Sequence, residues 1–397
     1  MGVWVYIGGF ELPDGNAAAH RVLANARCMK SIGHDVVLVG VRRSGGDGLQ
    51  PEHDLEGCDG IECWSVRYPA SRKSWAKYLF GLRELFELLE RKAHGLSGVI
   101  CYNYPALAQS RLFAKARKLG GKCIADVTEW YEAGAGPLIF KSMKAADTWL
   151  RMNIVNHHAD GIIAISPMLS QFYRSRGVPT VEIPTLFDTQ VLSPPTPDAH
   201  DVRRRFAYVG NPFTEGRVNR DRTNLKDRLD VCVKLFRTLA SEGYDFVFDI
   251  YGVECRQYLS VFPEDADFLE GQQEKIRFHG RVENRLVRTL LAASDFSIFV
   301  RDATRVTLAG FPTKLAESIS LGTPVITSKH GNVIGYVGTP GLLLVERGKE
   351  YEGLVEVLRL TDGEVRMLKQ ESFNSRAFDY RRYEGDMSAF FRAVCGP

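Results

Sequence analysis

The chain has 397 residues, 45% hydrophobic and 25% charged, a balance that excludes wholesale disorder and leaves ample core for two or three domains. Its 51 basic and 48 acidic side chains leave a net charge of +3, too even for a chain whose task is to grip nucleic acid. No apolar run approaches the ~20 residues that cross a bilayer, and eight scattered cysteines without a Cys-x-x-Cys spacing read as reduced core thiols of a cytosolic protein.

Strand-like and helix-like runs alternate throughout, the pattern of parallel sheets with helices on both faces. The start, Met1-Gly2-Val3-Trp4-Val5, lacks a basic flank and reads as a first strand rather than a signal peptide. A strand over 3–7 leads through a Gly8-Gly9 turn into a helix from Asn16 to Ile32, with Gly33 as its stop, and a strand from Asp35 to Gly40. Further strands are expected at 98–103, 122–128, 161–166 and 180–183, with helices near 76–94, 105–119, 142–158 and 167–176. Ser193-Pro194-Pro195-Thr196-Pro197-Asp198 is proline-rich and reads as an interdomain linker. The alternation then restarts: strand 205–209, helix 225–242, strands 244–251 and 276–279, helix 284–293 and strand 296–300. A helix at 313–320, strands at 324–327 and 342–345, and a helical tail from Tyr351 complete it. The expected division is 1–190, a linker at 191–200, a second domain at 201–375, and a C-terminal helix within 376–397 packing back on the first domain.

One segment carries most of the chemistry. Gly310-Phe311-Pro312-Thr313-Lys314-Leu315-Ala316-Glu317, running on to Gly322-Thr323-Pro324-Val325-Ile326, reads as a tight turn, a short helix, a glycine stop and a buried strand. Free N–H groups and the dipole at such a helix start attract an anion. Lys314 and Glu317 lie three apart on one helical face, a cation and a carboxylate that suit a phosphate and a sugar hydroxyl together. The alternative is an ordinary αβ turn with an exposed Lys–Glu pair.

This segment resembles the donor-site signature of glycosyltransferase family 4, enzymes of the GT-B architecture. In the family pattern Glu-x7-Glu, Glu317 matches the second Glu, but the first falls on Ala309. A variant with Phe-Pro-Thr-Lys here, similar to many bacterial polysaccharide transferases, fits better. The resemblance implies an α/β fold of two Rossmann-like doubly wound domains facing across a cleft, the N-terminal one for the acceptor and the C-terminal one for a nucleotide-sugar. Ligands of open sheets sit outside the carboxyl ends of strands.

The family's Gly-Arg…Lys-Gly pattern, taken to hold the donor diphosphate, maps onto Gly210, Asn211 in the Arg place, and Lys226 after an enlarged loop. That loop, Phe213–Asn224, offers Arg217, Arg220 and Arg222 as substitutes for the missing Arg, or is simply solvated. Arg281, after the strand end His279-Gly280, meets base or phosphate, or makes a surface pair. Arg301 or Arg305 would approach the phosphates or sugar where Ala309 offers no carboxylate. The expected donor-binding set is therefore Gly210, Asn211, Lys226, Arg281, Arg301, Phe311, Pro312, Thr313, Lys314, Leu315 and Glu317, with Glu317 on the ribose hydroxyls.

In the N-terminal half, Gly8, Gly9, Gly15 and Asn16 resemble the family's first glycine loop, and Asn16 also suits a helix N-cap. His20 or Arg21, in the first helical turns, would reach acceptor or phosphate. Relatives often carry a His near the strand end at 125–132; here Asp126 or Glu129 would supply the polar group, and Trp130 or Tyr131, before the Gly-rich 134–137, a sugar platform. A buried aromatic pair with capping carboxylates is the alternative. The expected catalytic groups are thus Glu129, Asp126 and Lys314.

No metal is expected: Asp265-Ala266-Asp267 reads as solvated loop, and His157-His158 diverge on a helix without a third ligand. The basic-aromatic helices at 74–93 and 138–152 either lie on an anionic membrane surface or pack on their own sheet. The leading expectation is a cytoplasmic, metal-independent, retaining transferase. It would move a sugar from a UDP- or GDP-sugar to a saccharide or lipid-linked acceptor in polysaccharide or glycoconjugate biosynthesis. A nucleotide-sugar epimerase of similar plan and a non-catalytic nucleotide-sugar-binding subunit are the rivals.

Overall fold

The computed structural model describes residues 2–13, 15–46, 48–52, 56–130, 138–194, 203–213, 222 and 225–396. The chain forms two compact units. One joins Met1–Asp188 with Leu308–Phe311 and Asp379–Pro397; the other joins Thr189–Thr307 with Pro312–Phe378.

The first unit is built on eight strands: β1 (Val3–Gly8), β2 (Asp35–Arg42), β3 (Gln50–Pro51), β4 (Glu62–Arg67), β5 (Leu96–Tyr102), β6 (Lys122–Val127), β7 (Gly161–Ala164) and β8 (Thr180–Glu182). Their order is β3-β4-β2-β1-β5-β6-β7-β8, parallel except for the edge pair β3–β4. The central strands are near-continuous apolar runs because helices cover both faces. Trp4, Tyr6, Ile100, Ile124 and Ile163 anchor one core cluster, to which the C-terminal helix Glu384–Cys395 adds Met387, Phe390, Phe391 and Val394. A Cβ on Gly161 would come within 2.6 Å of Val394, so glycine lets that helix approach β7.

The second unit has six parallel strands: β9 (Arg204–Val209), β10 (Phe246–Tyr251), β11 (Ile276–Gly280), β12 (Phe296–Phe299), β13 (Val325–Ser328) and β14 (Leu342–Val345). Their order is β11-β10-β9-β12-β13-β14. Phe236 stacks on Phe248 at 4.1 Å and packs on Phe206 at 5.1 Å, fixing the helix Leu229–Ser241 to the sheet.

Several expectations need correcting. β3 and β4 were not foreseen: the run Glu62–Arg67 mixes polar and apolar residues, although the Asp59-Gly60 turn, both residues at positive φ, stands just in front of it. The helix expected at 76–94 is two, Arg72–Phe80 and Arg83–Arg91, broken at Gly81. A Cβ on Gly81 would sit 2.6 Å from the Lys77 carbonyl. The helix expected at 142–158 runs from Leu138 to Leu150 and continues as a π-turn, Arg151–Val155, and a 3₁₀ turn, Asn156–His158. The tail is three helices, Glu350–Leu358, Asp362–Ser375 and Glu384–Cys395. Asp265 is not solvated: it is buried and accepts a hydrogen bond from Tyr258 at 2.7 Å. All eight cysteines are unpaired, six of them buried. Among the described residues, no helix is long and apolar enough to cross a membrane.

Candidate active site

At the carboxyl edge of the second sheet, three strand ends are locked together by glycines. Gly210 follows β9 with φ +132° and donates to the Tyr251 carbonyl at 2.9 Å; Gly252 follows β10 with φ +102° and donates to Gly280 at 2.7 Å. These φ values favour glycine. A Cβ on Gly252 would lie 2.8 Å from the Gly210 carbonyl oxygen.

Beside Gly210 lies a buried charge cluster. Asp227 accepts from Arg301 Nε at 2.6 Å and from Lys314 Nζ at 2.6 Å, with side-chain exposures of 10%, 4% and 12% respectively. The Tyr208 hydroxyl donates to the same carboxylate at 3.3 Å, and Lys314 Nζ stands 4.2 Å from the Tyr208 ring centroid, a cation–π contact. A Cβ on Gly210 would come 3.1 Å from Lys314 Nζ, so the strand-end glycine leaves room for the ammonium.

Each member is positioned by secondary structure. Lys314 is the second residue of the helix Thr313–Ser320, whose N-cap is Pro312. Arg301 follows the end of β12, where its backbone N–H donates to Ser328 Oγ at 3.0 Å and its carbonyl accepts from the same hydroxyl at 2.9 Å. Asp227 is brought alongside because the Arg228 N–H donates to the Val300 carbonyl at 2.8 Å.

The electrostatics follow from two cations sharing one anion. Burial alone would raise the Asp227 carboxyl, but Lys314 and Arg301 reverse this and hold it far below the usual carboxylate range. Burial pulls the Lys314 ammonium below the ordinary lysine value; Asp227 opposes that shift and Arg301 adds to it. Formally the cluster carries one surplus positive charge. Arg301 Nη1 is buried without a hydrogen-bond partner among the described residues. Nearby, His330 bonds the Ser328 carbonyl through Nδ1 at 2.8 Å, and its Nε2 is likewise buried without a partner among the described residues. Burial lowers the His330 pKa, which keeps the ring neutral. A surplus cation with an unused donor at a sheet's carboxyl edge is a seat for an anionic oxygen.

The remaining sequence candidates are spread more widely. Glu317 is half-buried, its Oε1 3.5 Å from Arg288 Nε. The exposed Lys–Glu pair considered for this turn is not formed, since Lys314 is buried against Asp227. Thr313 is half-buried, while Phe311, Pro312 and Leu315 are buried. Asn211 is exposed and closes a turn by accepting from the Phe213 N–H at 2.9 Å. Lys226 is half-buried beside Asp227, and Arg281 and Arg305 are exposed. Arg222 pairs with Glu264 at 2.7 Å. Arg217, Arg220, Tyr131 and the glycine-rich 134–137 lie outside the described residues, as does 195–200 of the proline-rich linker. Among the described residues, no group of three or more His, Cys, Asp or Glu side chains could hold a metal ion.

Residues 16–186 match the family model described as a glycosyl transferase 4-like domain, and residues 216–361 that of glycosyl transferases group 1. Among solved structures, sucrose-phosphate synthase of Thermosynechococcus elongatus is 13% identical over 99% of both chains, with a TM-score of 0.64. HepE of Anabaena, in complex with UDP and glucose, is 13% identical over 99% of this chain and 100% of its own, with a TM-score of 0.64. The chain is a glycosyltransferase of the GT-B fold. The lipopolysaccharide outer core galactosyltransferase WaaB is also similar, 16% identical over 98% of this chain and 99% of its own, with a TM-score of 0.59. No curated protein sequence matches the glycosyltransferase at a significant level.

In the first unit of this glycosyltransferase, Gly8 ends β1, where a Cβ would come 2.6 Å from Tyr102 Cβ; Gly9 is exposed with open space around it. Gly15 donates to the Glu11 carbonyl at 2.8 Å, and Asn16 caps the helix Ala17–Ser31 by accepting from the Ala19 N–H at 2.9 Å. Asp126 is fully buried: Arg21 Nη2 donates to it at 2.8 Å, and the Tyr6 hydroxyl donates as well. Arg21 spends its remaining donors on the carbonyls of Ile183 at 2.7 Å and Pro184 at 2.9 Å. Neither side chain is presented to a ligand; together they tie the first helix to β6 and to the segment after β8. Glu129, by contrast, is half-buried. Trp130 packs edge-on against Phe172 at 4.7 Å. Ala309 is buried, its carbonyl accepting from Ser166 Oγ at 2.7 Å.

The sequence reading missed Asp227, Tyr208 and His330. Asp227 occupies the place where the Lys-Gly pattern has its glycine, and that departure was the available signal.

Proposed function

We propose that this glycosyltransferase moves a sugar from a UDP- or GDP-sugar to a saccharide or lipid-linked acceptor, in polysaccharide or glycoconjugate biosynthesis. The observation carrying the reading is the Asp227-bridged pair of Lys314 and Arg301 at the carboxyl edge of the second unit's sheet. The shared fold with HepE, solved with UDP and glucose, supports the choice of donor.

Glycosyl transfer from such a donor builds negative charge on the departing β-phosphate. Fixed cations act chiefly on that developing charge, and because they are already desolvated and oriented they need little reorganisation as the bond breaks. Lys314, Arg301 through its unused Nη1, and the N–H groups opening the helix Thr313–Ser320 are the groups for this task. Glu317, one turn further along, would accept from the ribose hydroxyls. With cations supplied by side chains, transfer would proceed without a divalent metal. Retention of configuration is proposed from the family resemblance, a cytoplasmic location from the unpaired cysteines, and contact with the inner face of the membrane from the basic-aromatic helix pattern.

The test is nucleotide release from a panel of UDP- and GDP-sugars with and without saccharide acceptors. Acceptor-dependent release, reduced roughly a hundredfold by Lys314→Ala, is expected. A new sugar isomer formed without acceptor, or no release from any donor, would contradict the proposal.

A further inference from the structure

The first unit contains a cavity of about 480 Å³, distinct from the charge cluster described above. Its wall runs from Val66–Tyr68 at the end of β4, along the helix Arg72–Phe80, to Tyr104 just beyond β5. That is again the carboxyl edge of a parallel sheet, and the volume lies within the range of roughly 300–1,000 Å³ typical of small-molecule sites.

Four aromatic rings follow one another along it. Tyr68 meets Trp75 at 6.1 Å, Trp75 meets Tyr78 at 5.9 Å, and Tyr78 meets Tyr104 at 5.3 Å. The inner two are set in the fold: their hydroxyls hydrogen-bond each other, and burial pushes both phenols up, so they stay neutral. The outer two are open, Tyr68 44% and Trp75 38% exposed. Large aromatic faces left in water at the mouth of a cavity are stabilised when an apolar surface covers them.

The charge at this mouth is mostly positive, with Arg67, Lys73 and Lys77 in the wall against the single carboxylate of Glu84. Lys73 and Lys77 are four apart, hence on one helical face, and both are exposed lining residues. Glu84, also in the wall, accepts from the Leu49 N–H, which commits it to the neighbouring loop. The C–H face of a pyranose fits the rings, and an anionic substituent fits the net positive wall beside Lys73.

We propose that this cavity seats a pyranose ring bearing a phosphate or carboxylate group, as part of the acceptor. The proposal rests on the transferase reading above, but its test does not require a donor. The full chain is titrated with glucose 6-phosphate, glucuronate and glucose while tryptophan fluorescence is followed, with Trp75→Phe identifying the Trp75 signal. A saturable change is expected with both anionic sugars. It should be lost in Trp75→Phe, and about tenfold weaker both for glucose and in the Lys73→Met/Lys77→Met variant. The UDP-induced thermal shift, which reports the second unit, should be unchanged in every variant. No saturable signal from either anionic sugar overturns the proposal, and so does equal affinity for glucose and glucose 6-phosphate. Binding only to vesicles of anionic lipid, abolished by the lysine substitutions, would make this a membrane face and overturn it too. If glucose 6-phosphate binds here while UDP and GDP bind nowhere, the donor reading fails and this site stands.

Discussion

Replacing Asp227 by Asn keeps the side-chain volume and deletes the one negative charge between Arg301 and Lys314. Both contacts are 2.6 Å and all three side chains are at least 88% buried, so water can do little to screen the two cations left facing each other. Removing one partner of a buried ion pair costs about 3–5 kcal/mol. The amide oxygen still accepts one hydrogen bond, which places the expected loss near the lower end, ~3 kcal/mol. For a unit of this size each kcal/mol lowers Tm by roughly 2–4 °C, so a drop of about 6–12 °C is expected by differential scanning fluorimetry. UDP seated at this cluster, as proposed, would restore the missing negative charge and should therefore raise the Tm of Asp227→Asn by more than that of the wild type. The pH dependence has a fixed sign. The folded-state pKa of Asp227 is depressed, so its contribution is complete above the unfolded value of about 3.9 and fades as pH falls through the folded value. The stability gap between wild type and variant should thus narrow only below about pH 4. A variant melting within ~2 °C of wild type, or gaining no more from UDP, would refute the reasoning.

Three further outcomes follow from the same geometry. Lys314 is depressed by burial, so donor kcat/KM should decline on an alkaline limb below the ordinary lysine value of 10.5, and Lys314→Arg should abolish that limb; an unchanged profile would separate Lys314 from the donor. Asp126→Asn should cost about 3 kcal/mol of stability in urea melts while leaving donor KM alone, because its carboxylate is committed to Arg21 and Tyr6; normal stability with a collapsed kcat would give it a chemical role instead. Gly252→Ala combines a φ of +102° with a Cβ 2.8 Å from the Gly210 carbonyl, so strain of roughly 1–3 kcal/mol and weaker UDP binding are expected from melting and calorimetry.

The architecture was largely legible because parallel strands buried on both faces leave unbroken apolar runs. Strands 296–300, 324–327 and 342–345 and the helix at 313–320 fall within a residue or so of Phe296–Phe299, Val325–Ser328, Leu342–Val345 and Thr313–Ser320. β4 escaped notice because a strand near a sheet edge has polar positions, and Glu62, Ser65 and Arg67 broke the run. The break at Gly81 was visible as a glycine but not as a bend, since only the Lys77 carbonyl beneath it makes a side chain impossible there.

For the site, residue types pointed to Lys314, Arg301 and Gly210, and the fold gathers these three around Asp227. The partner itself was hidden because a carboxylate beside Lys226 and Arg228 looks like a solvated charge run; its burial depends on the Arg228 N–H reaching β12, a contact 72 residues away. Asp126 shows the converse. A carboxylate at a strand end suggested chemistry, whereas Arg21, 105 residues earlier, had already claimed it. Pairings at such separations leave no trace in local spacing.

Calorimetric titration of UDP and GDP into the wild-type chain and into Lys314→Ala/Arg301→Ala bears on the donor reading more closely than any other experiment. Saturable binding of one nucleotide to the wild type, weakened at least about a hundredfold in a double variant that still folds, is the expected result. Equal affinity in the two proteins, or no binding of either nucleotide to the wild type, would contradict it.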